Sequence, residues 1–373
     1  MTKGKEIKYK LAVYLPYLQL MTSLDPTERG IINQEVKNSL IEAWDFLKTA
    51  NAKELINKGP KLITSLKKLV EKYEEFARPK LPLEKISEEF NDLCSKNKEI
   101  YSYGLEYGWL QKVMDCSNMG FPEDLPFHAR IGLGHHAEFG NVEEEFLLRD
   151  AFFMLALAEE AYENMHTYSK YWKESNKPND IELVNRILGT ANQNVATYYR
   201  LSILSFFSFV EAFVNSVGYD FSLRNKGILS PKEIEILHGT KKGRYLSLKY
   251  KIEKFPSIIR SDKKTPIILS DSKQIKEPFK TFIKNVKEIR DSSVHYSPKK
   301  EAIWRKPDDW IDKDKATSKL CLEVSLEFWK ACYPDRKRPQ YLNKLDRGKH
   351  INIARKRLKL RDKIKEYNGN SGV

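Results

Sequence analysis

Three residues near the end of one helical segment have side chains suited to acid–base and phosphate chemistry. The stretch EIRDSSVHYSP (288–298) places Arg290 five positions before His295, with Asp291 directly after the arginine. A histidine titrates near neutral pH and can donate or accept a proton. An arginine can bind phosphate oxygens through two hydrogen bonds and stabilise developing negative charge. Arg290, His295 and Asp291 are therefore the candidate catalytic residues, with Asp291 either orienting His295 or fixing Arg290.

The helix that we predict over residues 274–296 places Arg290 among apolar residues. At 100° per residue, its apolar arc contains Ile275, Phe279, Phe282, Ile283, Val286 and Ile289, and Arg290 lies inside that arc. A buried charge without a partner is strongly destabilising. The position of Arg290 therefore predicts a counterion on a neighbouring element.

The segment 195–217 is the helix on which we expect that counterion. It is apolar nearly all round, which indicates a central, buried helix. Its exceptions recur every three or four residues and are Ser202, Ser205, Ser208, Glu211 and Asn215. Small residues in such a stripe let a second helix approach closely, and we expect Glu211 to meet Arg290 there. The alternative is a buried ion pair that is structural and has no chemistry.

A straight helix cannot direct Arg290 and His295 into the same pocket. A step of five residues turns about 500°, which leaves the two side chains about 140° apart. Either the last turn is distorted, because Pro298 disfavours helical geometry at the residue before it, or the pocket forms between two copies of this helix across a dimer. His295 also has an ordinary interpretation as a solvated residue in the favourable field of a helix C-terminus.

Charge is concentrated at one end of the chain. The 373 residues contain 65 Lys and Arg against 51 Asp and Glu, a formal net charge of +14. Thirteen basic and two acidic residues fall between positions 336 and 365, which gives that segment a charge of +11. Such a segment is suited to contacts with the phosphates of a polyanion, although it also fits a solvated basic helix or arm. The residues that we predict to make these contacts are Arg336, Lys337, Arg338, Arg355, Lys356 and Arg357.

Helical periodicity dominates the chain and predicts a mainly α fold. We expect an N-terminal helical region (1–99), an irregular connector or insert rich in glycine and aromatic residues (100–142), a helical bundle (143–333) and a basic tail (334–373). Within these regions we predict helices over 31–50, from Pro60 onwards, over 83–98, from Glu143 to about 173, from Asp180 towards Gly218, and over 315–332. No alternating apolar run is long enough to indicate a central sheet.

Several functional classes are disfavoured by the sequence. Four cysteines without CxxC spacing predict reduced thiols and a cytoplasmic protein. The N-terminus lacks the pattern of a signal peptide. The segment 201–217 is short for a membrane span and contains polar residues, so we expect a buried core helix and no membrane association. Metal binding by His128, His135 and His136 is a competing interpretation, but their spacing matches no helical ligand set, and we expect neither a metal nor a cofactor.

The stretch RDSSVH (290–295) resembles the motif of the HEPN superfamily. Its nuclease members share an arginine, a polar residue, three to five variable residues and a histidine near a helix end. The preceding SFVEAFVN (208–215), with its glutamate and asparagine, is also similar to many members. The resemblance covers roughly 145–332.

The resemblance implies a metal-independent RNA endonuclease whose two motifs line one cleft in a homodimer. Members often act as toxins or as antiviral, abortive-infection effectors. By that likeness, the 2′-OH of RNA is the nucleophile, His295 is the general acid or base, Arg290 stabilises the phosphorane charge, and Glu211 and Asn215 are supports. The products would carry a 2′,3′-cyclic phosphate and a 5′-OH. Two further hypotheses are a non-catalytic nucleic-acid-binding or scaffolding module, and an effector controlled by an antitoxin or by a sensor in residues 1–140.

Overall fold

The protein is mainly α-helical, as its sequence predicts, and folds as two compact units. The computed structural model describes residues 2–24, 34–121, 125–133, 140–174, 178–294, 307–343 and 347–370. One unit comprises Met1–Val142 and the other Glu143–Val373. The predicted insert at 100–142 thus lies in the first unit, and the predicted tail lies in the second.

The first unit is built around its N-terminal helix. Its helices are α1 (Lys3–Leu24), α2 (Gln34–Thr49), α3 (Ala52–Glu74), α4 (Leu83–Lys96), α5 (Ile100–Tyr103) and α6 (Tyr107–Val113). Helices α2, α3 and α4 all pack against α1, whose Leu11, Leu15 and Leu18 are buried. The hydroxyl of Ser87 in α4 donates a hydrogen bond to the carbonyl of Val13 (2.6 Å) and thereby links the two helices.

Helix α3 begins eight residues before the predicted start at Pro60. Asn51 accepts hydrogen bonds from the backbone N–H groups of Lys53 and Glu54 (both 3.0 Å), and the Glu54 carboxylate accepts one from the Asn51 N–H (2.9 Å). This reciprocal capping box satisfies donors that a helix start otherwise leaves open. The prediction was wrong because Pro60 was taken as a start signal, whereas it lies inside the helix.

The segment 100–142 combines short helices with very short strands, some paired with earlier residues of the unit. The strands are β1 (Arg78–Pro79), β2 (Leu105–Glu106), β3 (Met114–Asp115) and β4 (Arg130–Ile131). They form two antiparallel pairs, β1 with β3 and β2 with β4. Gly104 has a positive φ of 76°, and a β-carbon there would lie 2.3 Å from the carbonyl oxygen of Ile131. The glycine is therefore required by the close approach of the β4 backbone.

The second unit contains the predicted bundle and the motif. Its elements are α7 (Glu143–Glu174), α8 (Pro178–Arg224), α9 (Pro231–Leu237), β5 (Thr240–Lys241), β6 (Arg244–Tyr245), α10 (Leu248–Ile259), α11 (Phe279–Thr281), a π-helical turn (Phe282–Val286), α12 (Lys287–Val294), α13 (Pro307–Cys332), α14 (Gln340–Asn343) and α15 (Arg347–Asn370). Helix α8 starts at Pro178, two residues before the predicted start at Asp180, and continues past Gly218 to Arg224.

Helix α8 is the centre of the core in this unit. Its residues Tyr199, Phe206, Phe209 and Phe213 are almost fully buried, and α7, α10, α12 and α13 pack around it. Within the described chain, α8 includes the one stretch (Ile181–Arg224) whose length and apolar composition would suit a membrane span, and 56% of its most apolar window is buried inside the protein. This burial agrees with the predicted core helix.

A buried carboxyl group joins the start of α7 to α8 and to α14. Glu144 is 3% exposed, accepts a hydrogen bond from the Ser216 hydroxyl (2.7 Å) and another from the Tyr341 hydroxyl (3.2 Å). Burial raises the pKa of Glu144 from 4.5 to about 7, even though these two hydrogen bonds act to lower it. The protonated carboxyl group is thus favoured in the folded state at mildly acidic pH.

We expect the free energy of unfolding to fall as the pH rises from about 4.5 to about 7, because the folded state binds the Glu144 proton more tightly than the unfolded state. Glu144→Gln mimics the protonated group. It should match the wild type near pH 5 and be more stable at pH 8, by up to about 3 kcal/mol. Urea unfolding at both pH values measures this difference. The half-buried neighbour Glu145, which pairs with Arg149 (2.9 Å), is the control: Glu145→Gln should retain the wild-type pH dependence, and a Glu144→Gln profile parallel to wild type would contradict the assignment.

Candidate active site

The helix that contains Arg290 is shorter than predicted and is not regular throughout. Helical structure begins at Phe279 in α11 rather than at residue 274, and α12 ends, as far as the structure describes it, at Val294. Between them, the π-helical turn has a backbone hydrogen bond from the Lys287 N–H to the Phe282 carbonyl. His295, the general acid or base of the sequence analysis, lies outside the described residues, so its placement relative to Arg290 stays a prediction.

Arg290 lies at the edge of the core, against α8. Its guanidinium carbon is 5.3 Å from the centre of the Phe207 ring, a cation–π contact with the central helix. Nη1 donates to Oδ1 of Asp291 at 3.0 Å. About 31% of the Arg290 side chain remains exposed. The guanidinium is therefore held on two sides and still accessible to a ligand.

The π-helical turn brings Phe282 and Arg290 against the same ring. Phe282 stacks on Phe207 with a ring-centre distance of 5.8 Å and an interplanar angle of 3°. In a regular α-helix, residues eight apart differ by about 80° in direction. The π turn accommodates one extra residue and reduces that difference to about 20°. The turn thereby allows Phe282 and Arg290 to contact one residue of α8.

Asp291 acts as the counterion of Arg290 and also binds Lys287, one turn earlier. Burial raises the pKa of Asp291, but the hydrogen bonds and charges of Lys287 and Arg290 outweigh burial and hold that pKa below its usual value. Asp291 is thus ionised at neutral pH. Of the two roles predicted for Asp291, fixing Arg290 is the one that these contacts support.

The expected ion pair between Glu211 and Arg290 is absent among the described residues. The polar stripe of α8 does not face a single neighbour: Ser202 is buried and donates to the carbonyl of Ala151 (3.2 Å) and to Asp314 (3.1 Å), whereas Ser208 and Asn215 are exposed. Angles at 100° per residue give only the direction of each side chain from the helix axis. They do not show which neighbouring helices cover the two sides of the stripe. The prediction of a Glu211–Arg290 contact was therefore wrong.

Glu211 and Asn215 lie instead beside Lys251 of α10. The Lys251 ammonium donates to Oδ1 of Asn215 at 2.9 Å, and the negative charge of Glu211 acts on it. The Lys251 residue is only 4% exposed, and its burial lowers the pKa of the ammonium, an effect that Glu211 partly offsets. Asn215 follows Phe207 by eight residues, about 12 Å along α8. The two predicted supports thus lie near a second cation, Lys251 of α10, which contacts α8 as Arg290 does.

Sequence reasoning missed Lys251, although a signal for it existed. In LKYKIEKFPSII, the apolar residues Leu248, Ile252, Phe255 and Ile259 form the buried stripe of α10, and Lys251 occurs within it. A cation on a buried stripe is the same feature that distinguished Arg290. Arg290 and Lys251 both contact α8, and only Arg290 belongs to a recognisable sequence motif.

The predicted polyanion-binding residues of the tail are in different environments. Arg336 stacks over Tyr333 (4.9 Å from the guanidinium carbon to the ring centre) and Trp329 (6.0 Å). Arg355 forms ion pairs with Glu159 (3.1 Å) and Glu163 (3.6 Å) of α7. All six residues are exposed. Arg336 and Arg355 nevertheless already make contacts within the unit.

The basic segment is not an unstructured arm. Helix α15 packs on α7 and buries Ile351, Ala354 and Leu358, which are spaced three and four residues apart. The ring of His350 stacks on Phe152 of α7 at 4.9 Å. The first half of α15 is thus part of the core, and its exposed cations lie outside the buried stripe.

Comparisons with known proteins complete the description of the site. No protein-family model, no curated protein and no solved structure matches this chain. The likeness to the HEPN superfamily therefore rests on the residues of the motif and of α8.

The competing sites of the sequence analysis gain no support. No group of three or more His, Cys, Asp or Glu residues that could hold a metal ion exists in the described part of the chain. His135 and His136 lie outside it. The four cysteines are unpaired, as predicted.

Proposed function

We propose that the second unit is a metal-independent RNA endonuclease of the HEPN type. In this proposal Arg290 binds the scissile phosphate and His295 transfers protons. The 2′-oxygen of the RNA attacks phosphorus, the bond from phosphorus to the 5′-oxygen breaks, and the two products end in a 2′,3′-cyclic phosphate and a 5′-OH. The proton lost by the 2′-OH goes to a general base, and the leaving oxygen receives one from a general acid.

The observation that carries this proposal is the environment of Arg290. A cation that is fixed by Asp291 and Phe207, and still about 31% exposed, needs little reorganisation to bind a phosphate. A guanidinium has five N–H donors, and the contact with Asp291 uses one of them, at Nη1. The partial exposure of Arg290 beside the motif position of His295 therefore favours a ligand.

Other cations suit an RNA substrate as part of the same proposal. The exposed side chains of Lys337, Arg338, Lys356 and Arg357 would add sequence-independent attraction to the RNA backbone. We further propose a cytoplasmic homodimer with a composite site, acting as a toxin or antiviral effector under the control of an antitoxin or of a sensor within residues 1–140.

The direct test is incubation of the purified full-length protein with single-stranded RNA in excess EDTA. We expect cleavage without added metal, because the nucleophile belongs to the RNA and Arg290 supplies the positive charge. Mapping of the termini should find cyclic phosphates and 5′-hydroxyl groups, and a 2′-deoxy substitution at the cleaved position should block the reaction. Cleavage that needs a divalent ion, or products with 5′-phosphates, would refute the mechanism.

A second candidate function is a non-catalytic module that binds or scaffolds nucleic acid. The Asp291 ion pair and the Phe207 contact favour it, because they give Arg290 a packing role that requires no reaction. In that case RNA should bind without being cleaved. Arg290→Ala should lower the melting temperature, and His295→Ala should have no effect on binding.

A further inference from the structure

A cavity of about 590 Å³ lies in the second unit beside the first turn of the helix that contains Arg290. Its walls come from the segment 266–279 and from the end of α13 with the residues that follow it. Cavities of about 300–1,000 Å³ are typical of small-molecule sites. The cavity is separate from the Arg290 contact with α8 and has no role in the proposed cleavage.

Part of the cavity lining is apolar. Ile267, Phe279 and Ala331 line the cavity and are buried, and Ile268 lines it while remaining 38% exposed. An exposed isoleucine next to buried apolar side chains offers a surface on which a flat apolar group can be removed from water.

Another part of the cavity lining is charged, with both signs present. Lys273, Lys276 and Lys330 line it, and in the described part of the chain none of their ammonium groups forms an ion pair. Two carboxylates, those of Glu277 and Glu327, line it as well. A ligand that satisfies this lining has an anionic group for the lysines and hydrogen-bond donors for the carboxylates.

The cavity walls are fixed by hydrogen bonds that do not involve a ligand. The Glu253 carboxylate accepts from the backbone N–H groups of Leu269 (2.8 Å) and Ser270 (2.7 Å), which fixes the irregular segment. Arg260 forms a two-fold ion pair with Asp262 and donates to the carbonyl of Ala331 (3.2 Å). A site that is formed in advance loses little conformational entropy when a ligand binds.

We propose that this cavity binds a nucleoside phosphate. The base would lie on the apolar wall formed by Ile268 and Phe279, its amino or the ribose hydroxyl groups would donate to Glu327 or Glu277, and the phosphate would accept from the lysines. A fatty acid or an inorganic anion would leave one part of this lining without a partner. A free nucleotide and the phosphorylated end of an RNA chain share this chemistry, and the test distinguishes these two sources.

The test is calorimetric titration of the full-length protein with two probes, ADP and a 5′-phosphorylated RNA tetranucleotide that is 2′-O-methylated to prevent cleavage. We expect one ligand per chain. Lys273→Met combined with Lys330→Met should weaken binding at least about tenfold, because charge-assisted hydrogen bonds to the phosphate are lost. Ile268→Glu, a surface change in the apolar wall, should weaken it as well. Lys280→Met is the matched control, since Lys280 is exposed, close in sequence and outside the cavity lining.

Each outcome is informative when the variants melt like the wild type. Binding of ADP that is weakened by both cavity variants and not by Lys280→Met supports a free nucleotide as the ligand. Binding of the tetranucleotide alone, with the same variant pattern, supports an RNA end. Absence of binding of either probe, or binding that the cavity variants leave unchanged, overturns the proposal. None of these results depends on RNA cleavage, so they are separate from the tests of the proposed nuclease.

Discussion

Replacement of Arg290 by alanine should lower the rate of RNA cleavage by about 10²–10³-fold. The guanidinium is the positioned positive charge of the proposed site, and the transition state places additional negative charge on the phosphate oxygens. The variant also loses the Phe207 contact, which is worth about 0.5–2 kcal/mol of stability. The rate should therefore be measured under single-turnover conditions well below the melting temperature of the variant.

Two further variants separate catalysis from packing. Arg290→Lys retains a cation over Phe207 but loses the two-pronged hydrogen bonding to phosphate, so it should fold normally and still cleave slowly. Lys287→Ala is the matched control, because Lys287 binds the same Asp291 from one turn earlier and does not contact Phe207 in the described structure. We expect its cleavage rate to stay close to that of the wild type. Full activity of a folded Arg290→Ala protein would show that Arg290 is structural.

The sequence predicts which residues are buried better than it predicts which residues touch. The apolar character of 195–217 correctly places Phe206, Phe209 and Phe213 in a core, because burial depends on composition over many residues. The pairing of Glu211 with Arg290 required the arrangement of α10 and α12 around α8, and no local pattern encodes that arrangement. A partner within the motif itself, Asp291, satisfied Arg290 instead.

The predictions of helix boundaries were wrong for a different reason. A capping box and a proline can both indicate a helix start, and the proline was chosen. Asn51 and Glu54 start α3 eight residues before Pro60, and the helix tolerates the proline within it. The π-helical turn at Phe282–Val286 could not be predicted either, because the side-chain directions were calculated at a constant 100° per residue. Such a turn is stabilised by tertiary contacts, here the stacking of Phe282 on Phe207, which do not exist until α8 is in place.

Mixing two inactive variants should restore cleavage if the site is shared between two chains. In a straight helix Arg290 and His295 point about 140° apart, so the proposed dimer would combine Arg290 of one copy with His295 of the other. Arg290→Ala and His295→Ala should each be inactive alone as homodimers. A heterodimer purified through two different affinity tags contains one site with both native residues and one with neither. We therefore expect about half of the wild-type activity per dimer.

The alternative arrangement predicts the opposite result for the same heterodimer. If a distorted last turn directs both side chains of one chain into one pocket, neither chain of the heterodimer has a complete site, and it should be as inactive as its parents. Doubly substituted protein paired with wild type is the matched control. It retains about half of the activity in the second arrangement and little in the first. Sedimentation analysis at the assay concentration must show a dimer, because a monomer that cleaves RNA would exclude the shared site directly.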